Sequence, residues 1–590
     1  MSGPVSRWAS AGVSSRMLER WLHRGARGAV WYDPAYRWPF SHLEGRLHAE
    51  PRRADFVAWY LLEERVIAVG DLRQPRPASW ADLARVHAPA WLDKLVTVDA
   101  LQQVFALEGE EIPVDETIRT IRLAVGGTVE AARDALANRR HNVNLLGGFH
   151  HASPDRGAGL CAVNDIAIAV AVARAEGFAG TIAILDLDAH QPDGTAACFA
   201  GDPLVWIGSI SGGSWGELPG VDDVILRDAT DGPYLDALDA LLRRMPKADL
   251  AFVVAGGDVL GGDTLGKLAL TLAGALQRDR RAHTALVSVP TVWLPAGGYH
   301  PASWRLLAAT ATLVTTGKAK PVADGFEPLR ARYGRIARSL PRELLGPDDD
   351  DDLGGLFPFE RRESERKLLG FYTEAGIELA LWRYGILSHL RRIGYDQLRI
   401  ALDDGGAGDR FRLFGTAVGS AGERAEHLLI EAVYAREIIA GEACLYVHWM
   451  TLRDPRGRFD ARKPRLPGQE VPGLGLAPEA TEMLVRMAER LELAGVALRP
   501  AWYHIAYACR TEYRFADPAR QGRFEALQRD LAGLPLVEAT MLVAEGKVRE
   551  VGGQPYKWEA EPMVRWRVPR PSDEEVVTAE RERVHFTTGA

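Results

Sequence analysis

Residues 182–195 read I-A-I-L-D-L-D-A-H-Q-P-D-G-T. Aliphatic and β-branched residues run directly into Asp186, Asp188 and His190 at alternate positions, the pattern of a strand buried on both faces whose exit carries charge. Such a strand belongs in the middle of a parallel sheet covered by helices on both sides, which narrows the fold class to α/β. Asp and His two residues apart share one face of an extended chain. A carboxylate beside an imidazole is a common pair of ligands for zinc or a similar divalent ion. Asp193 and Gly194 then turn the chain and leave a further carboxylate near the imidazoles, able to orient them. Taken alone, the same residues also suit a strand end with solvated charges, so the remaining chain has to decide.

A chain of 590 residues exceeds one core and divides into two or three domains. Its 47% hydrophobic and 25% charged residues are ordinary for a globular protein, and a net charge of -8 argues against a dedicated nucleic-acid binder. Cys161, Cys198, Cys444 and Cys509 are scattered without C-x-x-C pairing, which points away from a disulfide framework or zinc knuckle and towards a reducing compartment, the cytoplasm. No apolar run reaches the length of a membrane span, and no apolar leader follows the first methionine. Residues 1–28 read as an N-terminal extension, rich in Arg and Ser, with a surface helix expected around 17–23.

Beyond that extension, strand and helix patterns alternate. Helices are expected at 54–64, 117–138, 166–176, 234–244, 265–276 and 303–314. Strands are expected at 30–32, 142–146, 182–186, 204–207, 250–254 and within 285–294. This is the signature of a doubly wound parallel sheet. The strand at 142–146 empties into Gly147, Gly148, Phe149, His150 and His151. The strand at 250–254 ends in Gly256, Gly257 and Asp258, and the last ends in Ala296, Gly297, Gly298 and Tyr299. All these groups lie just past carboxyl ends of strands, where open α/β sheets place their ligands.

The blocks GGFHHASPDRGAGLCAVND, ILDLDAHQPDGT, AGGDVLGGDTLGKL and PAGGYH resemble, in order and spacing, the signature blocks of zinc-dependent histone deacetylases, most closely the class IV branch. The resemblance covers residues 29–318 and implies an arginase/deacetylase-like sheet. It implies that Asp188, His190 and Asp258 hold zinc, that His150 and His151 are the tandem catalytic histidines with Asp186 and Asp193 as their carboxylate partners, and that Tyr299 is the electrophilic tyrosine. It also implies a structural potassium position using Asp186, Asp188, His190 and Ser209. The activity implied is hydrolysis of linear amides: removal of acetyl or longer acyl groups from lysine side chains or related amines. Two departures stand out. Leu160 replaces the aromatic residue usual after the tunnel glycine, which loosens the grip on acetyl, and Gln191-Pro192 follows the ligating His190 in place of the commoner His-Gly, which stiffens that loop without removing a ligand. The binuclear manganese ureohydrolases share the general fold but use D-A-H-x-D, and Asp193 comes one residue too late for that, favouring one catalytic metal.

Residues 319–364 read as an acidic Pro/Gly linker with five aspartates at 348–352, and residues 365–590 as a smaller α+β domain. There a helix is expected over 368–393, a meander of strands at 398–402, 411–414, 427–439 and 443–452, a helix at 478–491 and a strand at 496–504. The order strands, Gly473-Leu474-Gly475, helix, strand is weakly similar to acetyl-coenzyme A-binding folds of the GNAT type, whose diphosphate rests on glycine amides at a helix start. Gln469 stands one residue too far from the glycines for that motif, and an interaction domain is the alternative. For the whole chain the competing reading is an acyl-lysine-binding protein whose C-terminal domain is an acyl-CoA-dependent acyltransferase or an interaction module.

Overall fold

The computed structural model describes residues 28–39, 50–107, 112–346, 366–418, 423–459, 464–568 and 573–588. The helix expected around 17–23 and the aspartate run at 348–352 lie outside the described residues. The chain divides into two compact units, Met1–Arg332 and Tyr333–Ala590.

The first unit is built on an eight-stranded sheet: β1 (Val30–Trp31), β2 (Leu72–Arg73), β3 (His141–Asn144), β4 (Ile182–Asp186), β5 (Val205–Ser211), β6 (Val221–Ile225), β7 (Leu250–Val254) and β8 (Thr291–Leu294). Their order is β2-β1-β3-β8-β7-β4-β5-β6, and every pairing is parallel. Side chains divide cleanly between the two faces. Ala183, Leu185, Ala251, Val253 and Trp293 join the core beneath the helices Arg53–Glu63 and Ser303–Thr316. Ile182, Ile184, Leu250, Phe252, Val254, Val292 and Leu294 join the opposite core with the helices Val114–Asn138 and Asp165–Ala175. This period-two division of strands that are apolar at nearly every position is what a doubly wound sheet requires.

The topology decides where the site lies. From β3 the chain crosses to β4, leaving two places that β8 and β7 fill later, so β3, β8, β7 and β4 are neighbours at the centre of the sheet. These are the four strands whose exits carry the His, Asp and Tyr residues.

Several elements differ from expectation. The edge strands β2 and β6 carry no apolar alternation; β6 is V-D-D-V-I and only half-buried. The helix expected at 265–276 runs instead from Leu272 to Ala285, because Thr271 caps it by accepting from the Gly274 amide at 3.0 Å. Within the stretch read as a linker, residues 328–339 are helical, with Tyr333, Ile336 and Leu340 buried at helical spacing.

The second unit holds a seven-stranded mixed sheet of β9 (Asp396–Asp404), β10 (Asp409–Val418), β11 (Arg424–Ile439), β12 (Glu442–Leu452), β13 (Gly495–Leu498), β14 (Arg514–Phe515) and β16 (Met563–Trp566). A separate ribbon pairs β15 (Val548–Glu550) with β17 (Phe586–Thr588). The order in the large sheet is β14-β16-β13-β12-β11-β10-β9, antiparallel except for β12 with β13. The helix expected over 368–393 is two helices, Glu374–Arg383 and Ile386–Arg392, parted at Gly385, whose φ of +85° a helix cannot contain. The strand expected to reach residue 504 stops at Leu498, and His504 lies in the helix Tyr503–Cys509. None of the four cysteines is in a disulfide. No helix among the described residues is long and apolar enough to cross a membrane.

Candidate metal and acid-base site

β4 ends at Asp186, and the next residues bend sharply instead of continuing as strand. Asp188 accepts the backbone N–H of His190 at 3.0 Å, so the two side chains converge through a tight turn and not, as the spacing alone suggested, along an extended chain. The His190 Nδ1 atom lies 3.0 Å from Asp188 Oδ1 and 2.9 Å from Asp258 Oδ2. Asp258 arrives from the exit of β7. The ligand atoms of Asp188, His190 and Asp258 all lie within 4.8 Å of one another, the one such group found among the described residues.

Asp188 and Asp258 are fully buried, and burial together with the Asp188 charge drives the Asp258 carboxyl upward. Burial opposes a charge on His190, yet the two carboxylates hold its ring proton to about 11. Two adjacent buried carboxylates turned on one ring nitrogen want a cation. The surrounding backbone leaves room for one: a Cβ at Gly297 would stand 2.3 Å from Asp258 Oδ2 and 2.7 Å from Asp188 Oδ2, so any side chain there would fill the cradle. Two carboxylate oxygens and one imidazole nitrogen form a donor set that suits zinc.

The tandem histidines reach the same place from β3. Gly148, at φ +81°, turns the chain, and the buried Asp165 carboxylate accepts the Gly148 and Phe149 amides at 3.1 and 2.7 Å and the Thr128 hydroxyl at 2.6 Å. Asp165 opens the helix Asp165–Ala175, and its carboxylate fixes this turn. His150 and His151 stand 4.2 Å apart ring to ring, each with its Nδ1 on a carboxylate: His150 on Asp186 at 2.9 Å, His151 on Asp193 at 2.7 Å. Their environments differ. Burial opposes a charge on His150, but Asp186 and Asp188 outweigh it and hold the proton up to about 9. For His151, burial and then the His150 charge prevail over Asp193 and lower the ring to about 4. One imidazole is held cationic and its neighbour neutral.

Tyr299 follows β8 and lines a cavity of about 280 Å³ together with His150, His151, Asp188 and His190. Its amide donates to Asp263 at 2.7 Å, and the Arg53 guanidinium donates to the carbonyls of Ala296 and Gly298 in the same loop. Burial, then the charges of Asp258 and Asp188, keep the Tyr299 phenol protonated far above its usual range. Leu160 lines the same cavity at φ +65°, its amide donating to the Val104 carbonyl at 3.1 Å. Ser209 on β5 pairs in register with Asp186. The residues singled out at the strand exits of the first unit therefore meet at one rim. Asp165, Arg53, Asp263 and Trp215 were missed. Trp215 alone carried a local signal, an aromatic ring in a Gly/Ser loop.

Residues 48–315 match the histone deacetylase domain. Over 255 residues the chain is 35% identical to an uncharacterized protein of Picosynechococcus, a match covering 40% of this chain and 82% of that protein. The N-terminal unit contains a histone deacetylase domain. The domain is also 29% identical over 298 residues to Histone deacetylase 2 of Arabidopsis thaliana, covering 48% of this chain and 76% of the relative. Among solved structures, a histone deacetylase homolog from Aquifex aeolicus aligns with a TM-score of 0.43 at 23% identity, covering 50% of this chain and 85% of that one.

Proposed function

We propose that the histone deacetylase domain is a zinc-dependent amidohydrolase that removes acyl groups from lysine side chains or related amines. The observation that carries this reading is the division of labour between the two histidines beside a three-ligand cation site. Zinc held by Asp188, His190 and Asp258 would supply Lewis-acid polarisation of the amide carbonyl. His151 keeps its Nδ1 proton on Asp193, which leaves Nε2 as the lone pair that takes a proton from attacking water and returns it to the departing amine. His150, cationic on Asp186, stabilises the negative charge that develops. The Tyr299 hydroxyl, protonated at all working pH values, donates to the carbonyl oxygen as it becomes an oxyanion. Asp193 is committed to His151 and is not among the cation ligands, which supports a single catalytic metal over a binuclear ureohydrolase site. Asp186 and Ser209, side by side, support a structural potassium position with Asp188 and His190.

The finer reading is a class IV-like enzyme that accepts long acyl chains, supported by Leu160 at the tunnel wall. Its working place would be the cytoplasm, consistent with four cysteines outside any disulfide, and its partner an acylated lysine peptide or amine. The alternative remains an acyl-lysine-binding protein whose second unit does the chemistry. The parallel pair β12 and β13, joined through Gly473, Gly475 and the helix Ala477–Arg490, favours a GNAT-type order of elements. Against a diphosphate at that helix start stands the buried Glu479 in its first turn, a carboxylate already placed at the positive end of the helix. An interaction module suits the second unit better. Release of free amine and carboxylate from an ε-acyl-lysine peptide by the zinc-loaded protein separates the two: the deacylase reading expects turnover, and binding without turnover favours the alternative.

A further inference from the structure

The second unit holds a cavity of about 80 Å³ between two of its helices and its large sheet. The helix Glu374–Arg383 lines it with Ile377, Ala380 and Leu381, and the helix Ala477–Arg490 with Met483, Arg486, Met487 and Arg490. Each set recurs every three or four residues, so each is one face of its helix. Phe411 on β10 and Tyr434 on β11 close the strand side, and Tyr372 and Tyr384 stand at either end of the first helix. The wall is hydrocarbon, apart from tyrosine hydroxyls and two arginines.

Those polar groups share one property: they are donors. Tyr372 and Tyr434 are 5% and 7% exposed, and among the described residues neither hydroxyl has a protein partner. Arg486 commits its two Nη groups to Glu482 at 2.5 Å and Glu489 at 2.8 Å, while its buried Nε has no partner. Arg490 donates to the carbonyls of Ala337 at 2.9 Å and Leu340 at 3.1 Å, so its charge there meets no carboxylate. Burial pushes the Tyr372 and Tyr384 phenols upward, and the Arg490 charge, next in weight, opposes it. Tyr434 is raised by burial alone. The positive end of the cavity therefore lies beside Tyr372 and Tyr384. Buried donors without acceptors are costly, and no acceptor in the lining is left over to suit a donating ligand. An occupant that relieves them accepts hydrogen bonds, carries negative charge and continues as hydrocarbon. Met483 and Met487, unbranched and adaptable, suit a chain more than a rigid ring.

We propose that this cavity binds a short-chain monocarboxylate, its head group accepting from Tyr372 beside Arg490 and its chain lying among Ile377, Leu381, Phe411 and Met483. The size of the cavity selects a chain of roughly three to five carbons. The site is separate from the cation site of the first unit and does not rest on the deacylase reading.

The test is a ligand-observed NMR titration of sodium butanoate into the full chain carrying Asp258→Ala, which suppresses carboxylate binding at the cation site. Butanoate should bind with a Kd below about 1 mM, and neutral butanamide of the same shape about tenfold or more weaker. Tyr372→Phe should weaken butanoate about tenfold or more. Its unfolding midpoint without ligand should be unchanged or raised, since the hydroxyl it removes has no protein partner. Tyr434→Phe should keep the Kd within about twofold, and Ala380→Trp, which fills the cavity from a half-buried helix position, should abolish binding. Four results overturn the proposal: no binding of butanoate at about 10 mM, butanamide binding as tightly, an unaltered Kd in Tyr372→Phe, or a loss in Tyr434→Phe as large as that in Tyr372→Phe. Full binding by a folded Ala380→Trp chain overturns it as well, and if that variant fails to fold, the two Tyr→Phe variants, which keep the side-chain shape, decide.

Discussion

Replacing Arg278 should dismantle the cation site from behind. Arg278 lies on the helix Leu272–Ala285 and is 0% exposed. Its Nε donates to Asp279 at 2.8 Å, and its Nη1 donates to the carbonyls of Leu187 at 2.9 Å and Gly256 at 2.8 Å. Leu187 stands between Asp186 and Asp188, and Gly256 two residues before Asp258, so one guanidinium braces both segments that deliver the carboxylate ligands. Arg278→Met fills similar space and removes every donor. The stranded Asp279 charge costs about 3–5 kcal/mol. Each abandoned carbonyl costs about 1–3 kcal/mol more. Against a domain stability of about 5–15 kcal/mol, these losses remove most of the margin. The double variant Arg278→Met/Asp279→Leu takes away the stranded charge and should recover about 3–5 kcal/mol, leaving the carbonyl penalty. The assay is urea unfolding of the N-terminal unit's transition, with zinc content measured on the same samples. Wild-type stability in Arg278→Met, or a double variant no more stable than the single one, would refute the reasoning.

Three further outcomes follow from the site. Tyr299→Phe should lower turnover by about a hundredfold or more while zinc stays bound, read as kcat together with metal content; a fully active variant would mean that another group polarises the carbonyl. Because Leu160 cannot stack on the acyl-lysine stem, longer acyl-lysines should be hydrolysed at least as well as acetyl-lysine. Leu160→Phe should shift kcat/KM several-fold back towards acetyl in a chain-length series on one peptide, and a steep fall with length in the wild type would reject this. His87 accepts the Asn164 amide at 2.9 Å, and burial lowers its ring to about 4 from an unfolded value near 6.5. A depressed folded value means the unfolded chain binds the extra proton, so the stability His87 contributes is complete above about pH 6.5 and is lost as pH falls towards 4, on the order of 3 kcal/mol in all. Thermal melts across that window should show the loss in the wild type and less of it in His87→Gln; identical slopes would place the acid sensitivity elsewhere.

The parts of this molecule that were legible in the sequence are those whose reason is local. The strands β4, β7 and β8 are buried on both faces and read as unbroken apolar runs, and the histidine, aspartate and tyrosine groups follow them within a few residues. The edge strand β6 could not be read, since V-D-D-V-I has solvent on one side and no apolar alternation. The start of the helix at Leu272 was set by one capping hydroxyl on Thr271, and the break at Gly385 by one left-handed glycine inside an otherwise helical pattern. What supports the site was hidden for a different reason. Asp165, Arg278 and Gln191 act on backbone groups up to 17, 91 and 25 positions away. Such contacts exist only once the sheet order has brought β3, β8, β7 and β4 together.

The central claim is that Asp188, His190 and Asp258 hold a catalytic metal for amide hydrolysis. The most direct measurement takes wild type and Asp258→Ala through the same purification, determines bound zinc per chain, and follows free amine released from an ε-acyl-lysine peptide. The account predicts about one zinc per chain and peptide turnover in the wild type, with both lost in Asp258→Ala. Equal metal content in the two proteins, or turnover that survives the loss of zinc, would contradict it.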